Sequence, residues 1–312
     1  MQLKTIRKNI ETKLESWLST ITDESLRKEL KDNILVSGGS ITSMLLNEPV
    51  NDYDVYIHDR AVLLRLVKYY INDIPDVKIL DGENKATLVD ELEKDYKFST
   101  DVEDIDSINS AYAVSLRNLK DDQIKLYFTE KGGGKKWNED IPEDKLNFHV
   151  QFLSPNAISL SNNLQIVIRF FGDAEAIHKT FDFIHATNYF TFKEGVVTNV
   201  AALESLLTKQ LKYQGSMYPL TSVIRAKKFI KRGFNINAGE YLKIMFQISE
   251  LDLKNPDVLE EQLIGVDVAY FSTLIDIIRG KYDVDRNFTM TSQYLNVLID
   301  KVFSNHEEET ND

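Results

Sequence analysis

Residues 33–57 constrain the fold more than any other stretch, because they join two apolar runs through adjacent glycines and then present two aspartates. The sequence there is NILVSGGSITSMLLNEPVNDYDVYI. Its apolar spacing predicts a strand, a helix and a second strand, at residues 33–37, 40–47 and 53–57. A chain that passes from a strand into a helix at Gly38 and Gly39 has to turn sharply, and glycine allows such a turn.

Asp52 and Asp54 are two residues apart, which places both side chains on one face of a strand. Two such carboxylates repel each other unless a cation lies between them, and Mg²⁺ or Mn²⁺ prefers oxygen ligands of this kind. Glycine lets a ligand approach the backbone, and a helix N-terminus attracts phosphate. We therefore expect phosphates at Gly38, Gly39 and Ser40, with the metal on both aspartates. The alternative is a solvated turn, since Asp-x-Asp or Gly-Gly alone is common.

The overall composition excludes several classes of protein. The chain has 312 residues, no Cys and a formal net charge of −12. The lack of Cys excludes disulfides, thiol catalysis and Cys-ligated zinc. So acidic a chain is not coated with phosphate-binding surface, although a local basic groove is compatible with it. The N-terminus has no unbroken apolar run, and no stretch reaches the roughly 18 apolar residues of a membrane span. We expect a cytoplasmic protein without a membrane partner.

The predicted elements change in character along the chain. Helices are expected at residues 5–18, from Thr22 or Asp23 onward, and at 60–72. The middle of the chain is rich in predicted strands, which lie at 111–118 and 123–130 (together a hairpin), 148–153 and 163–171. Residues 81–106 are expected to be irregular and 154–160 to be a turn. From about residue 196 onward the predicted elements are helices only. We expect an α+β fold comprising N-terminal helices (1–32), a head with a mixed sheet (33–195), an all-α domain (196–305) and a disordered tail (306–312).

The stretch GGSITSMLLNEPVNDYDVYI resembles the signature of the DNA polymerase β-like nucleotidyltransferases, and most of all the head of bacterial CCA-adding enzymes and poly(A) polymerases. That signature is Gly-Gly-x-apolar-Arg-Asp-x-Leu-Leu followed by Asp-apolar-Asp. The matching positions here are Gly38, Gly39, Leu45, Leu46, Asp52 and Asp54. Thr42 and Ser43 replace the Arg-Asp pair, which changes the local hydrogen bonding. The resemblance implies a polymerase β-like head that uses an NTP with Mg²⁺.

A second segment, KTFDFIHATNYF (179–190), sets Asp182 between two phenylalanines. A carboxylate in an apolar run needs a partner or a function, and the alternative is an edge-strand or helix-cap Asp. The segment is similar to the family's Arg-Arg-Asp-Phe-Thr-x-Asn-Ala. That similarity implies a catalytic role for Asp182, in contact with ribose or metal, and makes His185 a further nucleotide-binding candidate. Gln165 lies on a predicted strand where many members of the superfamily carry a third carboxylate.

A third segment, YPLTSVIRAKKFIKRGFNI (218–236), carries five cations between positions 225 and 232. This pattern indicates a phosphate track for a nucleic-acid acceptor or a triphosphate, or else a solvated helix face. It resembles the family's Glu-Asp-Pro-Leu-Arg-x-x-Arg-Ala-x-Arg-Phe, which implies that Arg225 and Lys228 bind the nucleotide. Met217, Tyr218 and Thr221 stand where the family selects its base, so the resemblance assigns no base preference.

Three functions are compatible with these residues. The first is transfer of NMP from an NTP to an acceptor hydroxyl, with an RNA 3′ end such as that of tRNA as the expected acceptor and pyrophosphate as the product. The second keeps the chemistry but uses a protein or small-molecule acceptor, which the acidic composition favours. The third is a binding module without catalysis. Similar compact nucleotidyltransferases occur in bacteriophages, so we expect a phage protein acting in the host cytoplasm.

Overall fold

The structure is a computed structural model that describes residues 2–74, 77–85, 119–128, 135–136, 147–262, 274, 277–281, 284, 288 and 290–304. The chain divides into two compact units. The first comprises Met1–Lys179 and Ala186–Leu203, and the second comprises Thr180–His185 and Glu204–Asp312. The predicted domain limits at residues 32, 195 and 305 stay predictions.

Aspartate side chains cap the helices that begin at residues 24 and 60. Asp23 accepts a hydrogen bond from Leu26 N, and Asp59 accepts one from Val62 N, at 2.9 and 3.0 Å. The helices in the described part are α1 (Leu3–Thr20), α2 (Glu24–Asn33), α3 (Gly39–Leu46), α4 (Arg60–Ile71) and α5 (Ala174–His178). The apolar stripe of α1 is buried, and its members are Ile6, Ile10, Leu14, Trp17 and Leu18.

The described strands of the first unit form a mixed sheet and a small second sheet. They are β1 (Ile34–Ser37), β2 (Tyr53–Ile57), β3 (Val77–Asp81), β4 (Ile124–Phe128), β5 (Lys135–Lys136), β6 (Val150–Ser154), β7 (Ala157–Leu160), β8 (Leu164–Val167), β9 (Tyr189–Thr191) and β10 (Gly195–Val197). The strand order of the mixed sheet is β10-β9-β1-β2-β8-β7-β6-β5, and β3 pairs with β4 in the second sheet. In the mixed sheet β2 and β8 run parallel, and the other neighbours run antiparallel.

One apolar cluster holds the central strands against the helices. Val36 of β1, Val55 of β2 and Ile166 of β8 are fully buried in it, together with Trp17 of α1 and Leu63 of α4. Full burial of such a side chain contributes about 1.5–3 kcal/mol. The ends of β1, β2 and β8 are therefore anchored in a rigid core, which fixes the side chains that follow or precede them.

The structure corrects the prediction for residues 154–160, which are not a turn throughout. Only the first part turns, with Ser154 Oγ accepting a hydrogen bond from Ala157 N at 3.0 Å. Residues 157–160 are β7, because Ile158 and Leu160 are buried between β6 and β8. The predicted strand at 123–130 contains β4, which pairs with β3, an element that the sequence did not predict. Its predicted hairpin partner, residues 111–118, lies outside the described residues, as do most of 81–106 and the tail 306–312.

The described part of the second unit is mainly helical. Its helices after position 208 are α7 (Pro219–Lys231), α8 (Ala238–Ser249), α9 (Pro256–Gln262) and α10 (Ser292–Ser304), and α6 (Val200–Thr208) lies across the division in the chain. Two clusters of side chains hold this unit together: rings of Phe183, His185, Phe229 and Phe234, and an apolar group around Ile278 and Met290. The predicted fold class is confirmed as a mixed sheet followed by a helical region.

Candidate nucleotide and metal site

The turn after β1 requires glycine at its first position. Gly38 has φ +92° and ψ −140°, a backbone conformation that residues with a Cβ atom rarely adopt. Its amide N–H donates to the carbonyl oxygen of Ala186 at 3.2 Å. Helix α3 begins at the next residue. The chain therefore passes from β1 into α3 through the glycine turn (Ser37–Gly39), whose backbone conformation at position 38 suits glycine.

The first turn of α3 has the features of an anion-binding site. Gly39 is exposed, and a Cβ built on it would meet no other atom within 4 Å. Ser40 is 1% exposed, and its Oγ has no hydrogen-bond partner among the described residues. The first turn also lacks an acidic side chain. A phosphate fits such a helix end, because the free backbone N–H groups and the helix dipole favour negative charge.

The pairing of β1 with β2 brings the two aspartates to the same end of the sheet as the glycine turn. The strands are antiparallel, with Val36 opposite Val55. Continuing this register places Asp54 opposite Ser37, the residue before Gly38. Asp54 is half-buried in β2, whereas Asp52 is exposed and immediately precedes the strand. The predicted strand at 53–57 is thus present, and the carboxylates lie at its start.

Gln165 takes the third position at this end of the sheet. Strands β2 and β8 are parallel and in register, with Asp54 opposite Gln165. The Gln165 amide donates to Ser159 Oγ at 3.5 Å, and an amide is a poorer Mg²⁺ ligand than a carboxylate. In the part of the chain that the structure describes, no group of three or more His, Asp or Glu side chains is placed to hold a metal. Asp52 and Asp54 nevertheless fit Mg²⁺, which commonly takes one or two carboxylates together with substrate phosphates.

Asp182 and Arg225, both in the second unit, form an ion pair. Arg225 Nη1 donates to Asp182 Oδ2 at 3.2 Å, and Phe183 N donates to Asp182 Oδ1 at 3.0 Å. The Asp182 side chain is 11% exposed and that of Arg225 is 38% exposed. Both carboxylate oxygens are therefore engaged within the unit. The predicted catalytic role of Asp182 and the predicted nucleotide contact of Arg225 stay predictions.

The predicted basic track lies on α7. Lys227, Lys228 and Lys231 are exposed there, so their ammonium groups are available to phosphates. Pro219 occupies the first turn of this helix, and Ala226 is buried on its inner side. The helical assignment and the exposed cations match the sequence pattern. Whether Lys228 binds a nucleotide stays a prediction.

His185 lies in the aromatic cluster of the second unit. It is 1% exposed, and its ring centroid is 4.3 Å from that of Phe229 and 5.1 Å from that of Phe234. Burial, together with the positive charges of Arg232 and Lys209, lowers the pKa of His185 to about 3. The side chain is therefore neutral near pH 7. This placement favours packing, and the nucleotide contact inferred from the resemblance stays a prediction.

Met217, Tyr218 and Thr221, which stand where the resemblance to CCA-adding enzymes would place base-selecting residues, are in contact with other parts of the second unit or buried in it. Thr221 is fully buried, and its Oγ1 donates to the carbonyl oxygen of Gln262. The Gln262 amide donates to Met217 O at 3.0 Å, and Tyr218 is 5% exposed. These contacts fix the start of α7 to the end of α9.

Sequence reasoning missed a polar network beneath the glycine turn. Ser37 is fully buried, and its Oγ lies 2.9 Å from both His178 Nε2 and Asn188 O. Burial lowers the pKa of His178 to about 4. No local spacing signals this network, because Ser37 and His178 are 141 positions apart in the chain.

Comparison with known proteins identifies the family. Residues 8–209 match the family described as "Gabija anti-defense 2 family protein", and this range exceeds half of the 312 residues. The chain belongs to the Gabija anti-defense 2 family. A relative named Gabija anti-defense 2, from Bacillus phage SPbetaL7, is 28% identical over 106 residues, which are 33% of this chain and 26% of the relative. The matched part thus spans about a quarter of that relative.

Solved structures of CCA-adding enzymes are distantly similar to the chain. The Thermotoga maritima CCA-adding enzyme complexed with tRNA is 13% identical, with a TM-score of 0.36, over 94% of this chain and 60% of that one. A CCA-adding enzyme in complex with ATP is 12% identical, with a TM-score of 0.40, over 100% of this chain and 64% of that one. The chain therefore spans less than two thirds of these enzymes. Separately, no helix among the described residues has both the length and the apolar character needed to cross a membrane.

Proposed function

We propose that this chain is a metal-dependent nucleotidyltransferase through which a bacteriophage counters Gabija defense. The observation that supports this most is the antiparallel pairing of β1 with β2. It sets Gly38, Gly39 and Ser40 at the same sheet end as Asp52 and Asp54. Family membership supports the anti-defense role. The host cytoplasm, where an NTP is available, is the proposed place of action.

In this proposal the chain's own residues bind and orient the NTP. The N–H groups of the α3 first turn and Ser40 Oγ hold the phosphates, while the carboxylates of Asp52 and Asp54 hold Mg²⁺ or Mn²⁺. A metal held by these two carboxylates would supply charge neutralisation for the departing pyrophosphate and a lowered pKa for the attacking hydroxyl. The acceptor oxygen forms a bond to the α-phosphorus, the bond from that phosphorus to the bridging oxygen of the β-phosphate breaks, and the hydroxyl proton goes to solvent.

We propose an RNA 3′ end, such as that of tRNA, as the acceptor. The exposed lysines of α7, at positions 227, 228 and 231, support this choice, because clustered cations on a helix suit a phosphate backbone. Arg225 and Lys228 are the proposed phosphate contacts.

A protein or small-molecule acceptor is the second candidate. The net charge of −12 favours it, because an acidic surface repels nucleic acid away from α7. The third candidate is a binding module without catalysis. Thr42, Ser43 and Gln165 favour it, because they stand where the nucleotidyltransferases that the sequence resembles carry charged residues.

A labelling assay separates the three candidates. Purified protein is incubated with Mg²⁺ or Mn²⁺, each α-³²P NTP in turn, and either total tRNA or protein lysate. The Asp52→Ala/Asp54→Ala variant is the negative control, and Asp32→Asn, an exposed carboxylate at the end of α2, is the matched control. Label on RNA that depends on the two aspartates supports the first candidate and reveals the base. Label on protein supports the second, and the absence of label from a folded protein argues against catalysis on these acceptors.

A plaque assay tests the anti-defense role. Wild-type chain or the Asp52→Ala/Asp54→Ala variant is expressed in bacteria with and without Gabija, and these cells are challenged with a Gabija-sensitive phage. We expect only the wild type to restore plaques on Gabija-carrying cells. Equal rescue by the variant would mean that binding causes the anti-defense effect and that nucleotidyl transfer is not required for it.

A further inference from the structure

A buried hydrogen-bond network fixes the end of β1. Ser37 Oγ is 2.9 Å from the carbonyl oxygen of Asn188, 3.4 Å from that of Ala186, and 2.9 Å from His178 Nε2. A hydroxyl has a single proton, and a carbonyl oxygen only accepts. Because two oxygen atoms 2.9 Å apart repel each other without a proton between them, the Ser37 proton points to Asn188 O, which leaves the Ser37 oxygen to accept from His178. This requires the tautomer of His178 with its proton on Nε2.

The same segment holds the backbone of the glycine turn. Gly38 N donates to Ala186 O, and Ser37 pairs with Tyr189 in the register of β1 and β9. The His178 ring also contacts the Tyr189 ring, with centroids 5.8 Å apart. His178, at the C-terminal end of α5, is thus tied both to the last residue of β1 and to the neighbouring strand.

The hydroxyl of Ser37 lies between two parts of the proposed site. It is one residue before Gly38, whose φ of +92° sets the direction of α3. Across the strand pair, the register that matches Val36 with Val55 places Ser37 opposite Asp54. A shift of β1 at this point would move the α3 N-terminus and disturb the pairing beside Asp54.

We propose that His178 is a positioning residue that fixes the glycine turn and Asp54 by donating a hydrogen bond to Ser37. The effect on nucleotide binding rests on the proposed function, whereas the effect on the turn does not. The lowered pKa of His178 agrees with a neutral ring at physiological pH. A neutral ring has one N–H, so the single proton required at Nε2 is available there.

The first test measures binding of each of the four Mg²⁺–NTPs by equilibrium dialysis. We expect His178→Leu and Ser37→Ala each to weaken binding about tenfold, because either change removes the hydrogen bond. The double variant should lose no more NTP affinity than either single variant, since both substitutions remove the same hydrogen bond. His178→Gln retains an N–H donor and should recover to within threefold of wild type. His149→Leu, next to β6 and four strands from β1 in the sheet, is the matched control and should bind normally.

The second test measures amide hydrogen exchange at Gly38, which does not depend on nucleotide. We expect His178→Leu and Ser37→Ala to speed this exchange at least tenfold, with no change for amides in α1. Unchanged exchange at Gly38, or a fall in melting temperature with unchanged NTP affinity, would overturn the positioning role. Faster exchange in a chain whose wild type binds no Mg²⁺–NTP would support the positioning of the turn and overturn the proposed function. If His178→Leu does not fold, Ser37→Ala and His178→Gln carry both tests.

Discussion

The candidate residues of the two units are held in different ways. In the first unit, Gly39 faces open space and Ser40 has a buried hydroxyl without a partner among the described residues. In the second unit, Asp182 binds Arg225, and His185 packs among phenylalanines. In the first arrangement a hydroxyl is left without a partner in the described part of the chain, whereas the second arrangement uses its polar groups within the fold. Residues that resemble one family's motifs therefore differ in how far the fold itself uses their polar groups.

The largest expected effect comes from comparing one aspartate of each unit. Under the proposed function, Asp54→Asn should lower the rate of nucleotidyl transfer by about 10³-fold or more, because losing a proposed metal ligand would forfeit several kcal/mol of charge stabilisation. Asp182→Asn should lower it by less than about tenfold, because that carboxylate serves Arg225. Single-turnover rates with the labelled acceptor measure both.

The Asp32→Asn variant controls for the loss of one surface charge. Equal loss of rate in Asp54→Asn and Asp182→Asn would contradict the expected difference between the units and support the predicted catalytic role of Asp182. A rate for Asp54→Asn within tenfold of wild type would remove the metal site from the first unit.

Gly39→Ala should separate binding from stability in the first unit. The new Cβ meets no atom of the chain, and Ala is favoured over Gly in a helix by about 0.5–1 kcal/mol, so the melting temperature should not fall. The same methyl would occupy the space of a bound phosphate, so Mg²⁺–NTP affinity should fall about 30-fold. Calorimetry and equilibrium dialysis measure the two effects.

Gly38→Ala is the matched change one residue earlier. Its φ of +92° is strained for Ala, so this variant should lose about 1–3 kcal/mol of stability. If Gly39→Ala binds the NTP as well as wild type does, the open space beside Gly39 has no role in phosphate binding.

Sequence reasoning predicted the elements around the first-unit site well, because the signals there are local. The alternation around Asp54, the glycines and the short apolar runs each fix an element within a few residues. β3, β7, β9 and β10 were missed, the first two of them for the opposite reason. The Ser-Pro-Asn turn at 154–156 concealed the strand that follows it, and the pairing of β3 with β4 depends on a contact across more than 40 positions.

The roles of the second-unit residues depend on tertiary contacts that a motif does not encode. The sequence shows Asp182 between phenylalanines, but the partner that neutralises it, Arg225, lies 43 positions away. The replacement of the base-selecting residues was visible in the sequence. The burial of Thr221 against Gln262, and the position of His178 beneath the glycine turn, were not.

A pH series should show the packing role of His185 in the second unit. Its folded pKa of about 3 lies below the ordinary value of 6.5, so the unfolded chain takes up the proton first as the pH falls below 6.5. Lowering the pH from 7 to 5 should therefore reduce the free energy of unfolding by about 2 kcal/mol through this histidine. Urea unfolding at both pH values measures the difference.

His185→Phe keeps the aromatic packing and removes the proton site, so the variant should lose less stability than wild type over the same pH range. His178 contributes in the same direction from the first unit and remains in both proteins, so it cancels in the comparison. A pH dependence that is identical in the two proteins would mean that His185 is solvated, and would favour its predicted role as a nucleotide contact over packing.

The smallest expected effect concerns the exposed lysines of α7. Each phosphate contact on a single strand contributes about 0.7 to the salt slope of the binding constant. The triple change of Lys227, Lys228 and Lys231 to Gln should therefore lower the slope for RNA by about 2 and weaken binding about tenfold at low salt. Fluorescence anisotropy with a labelled tRNA, across a range of salt concentrations, measures both quantities.

A matched triple change in the first unit removes the same charge. Lys4, Lys8 and Lys28 are exposed on α1 and α2, and their replacement by Gln should leave the salt slope nearly unchanged. Equal losses in the two triples would make the α7 lysines an ordinary solvated face and favour a protein or small-molecule acceptor. A loss of RNA affinity confined to the α7 triple would instead mean that the second unit binds its ligand through the exposed lysines of that helix. The side chains that pack inside the unit would then have no part in this binding.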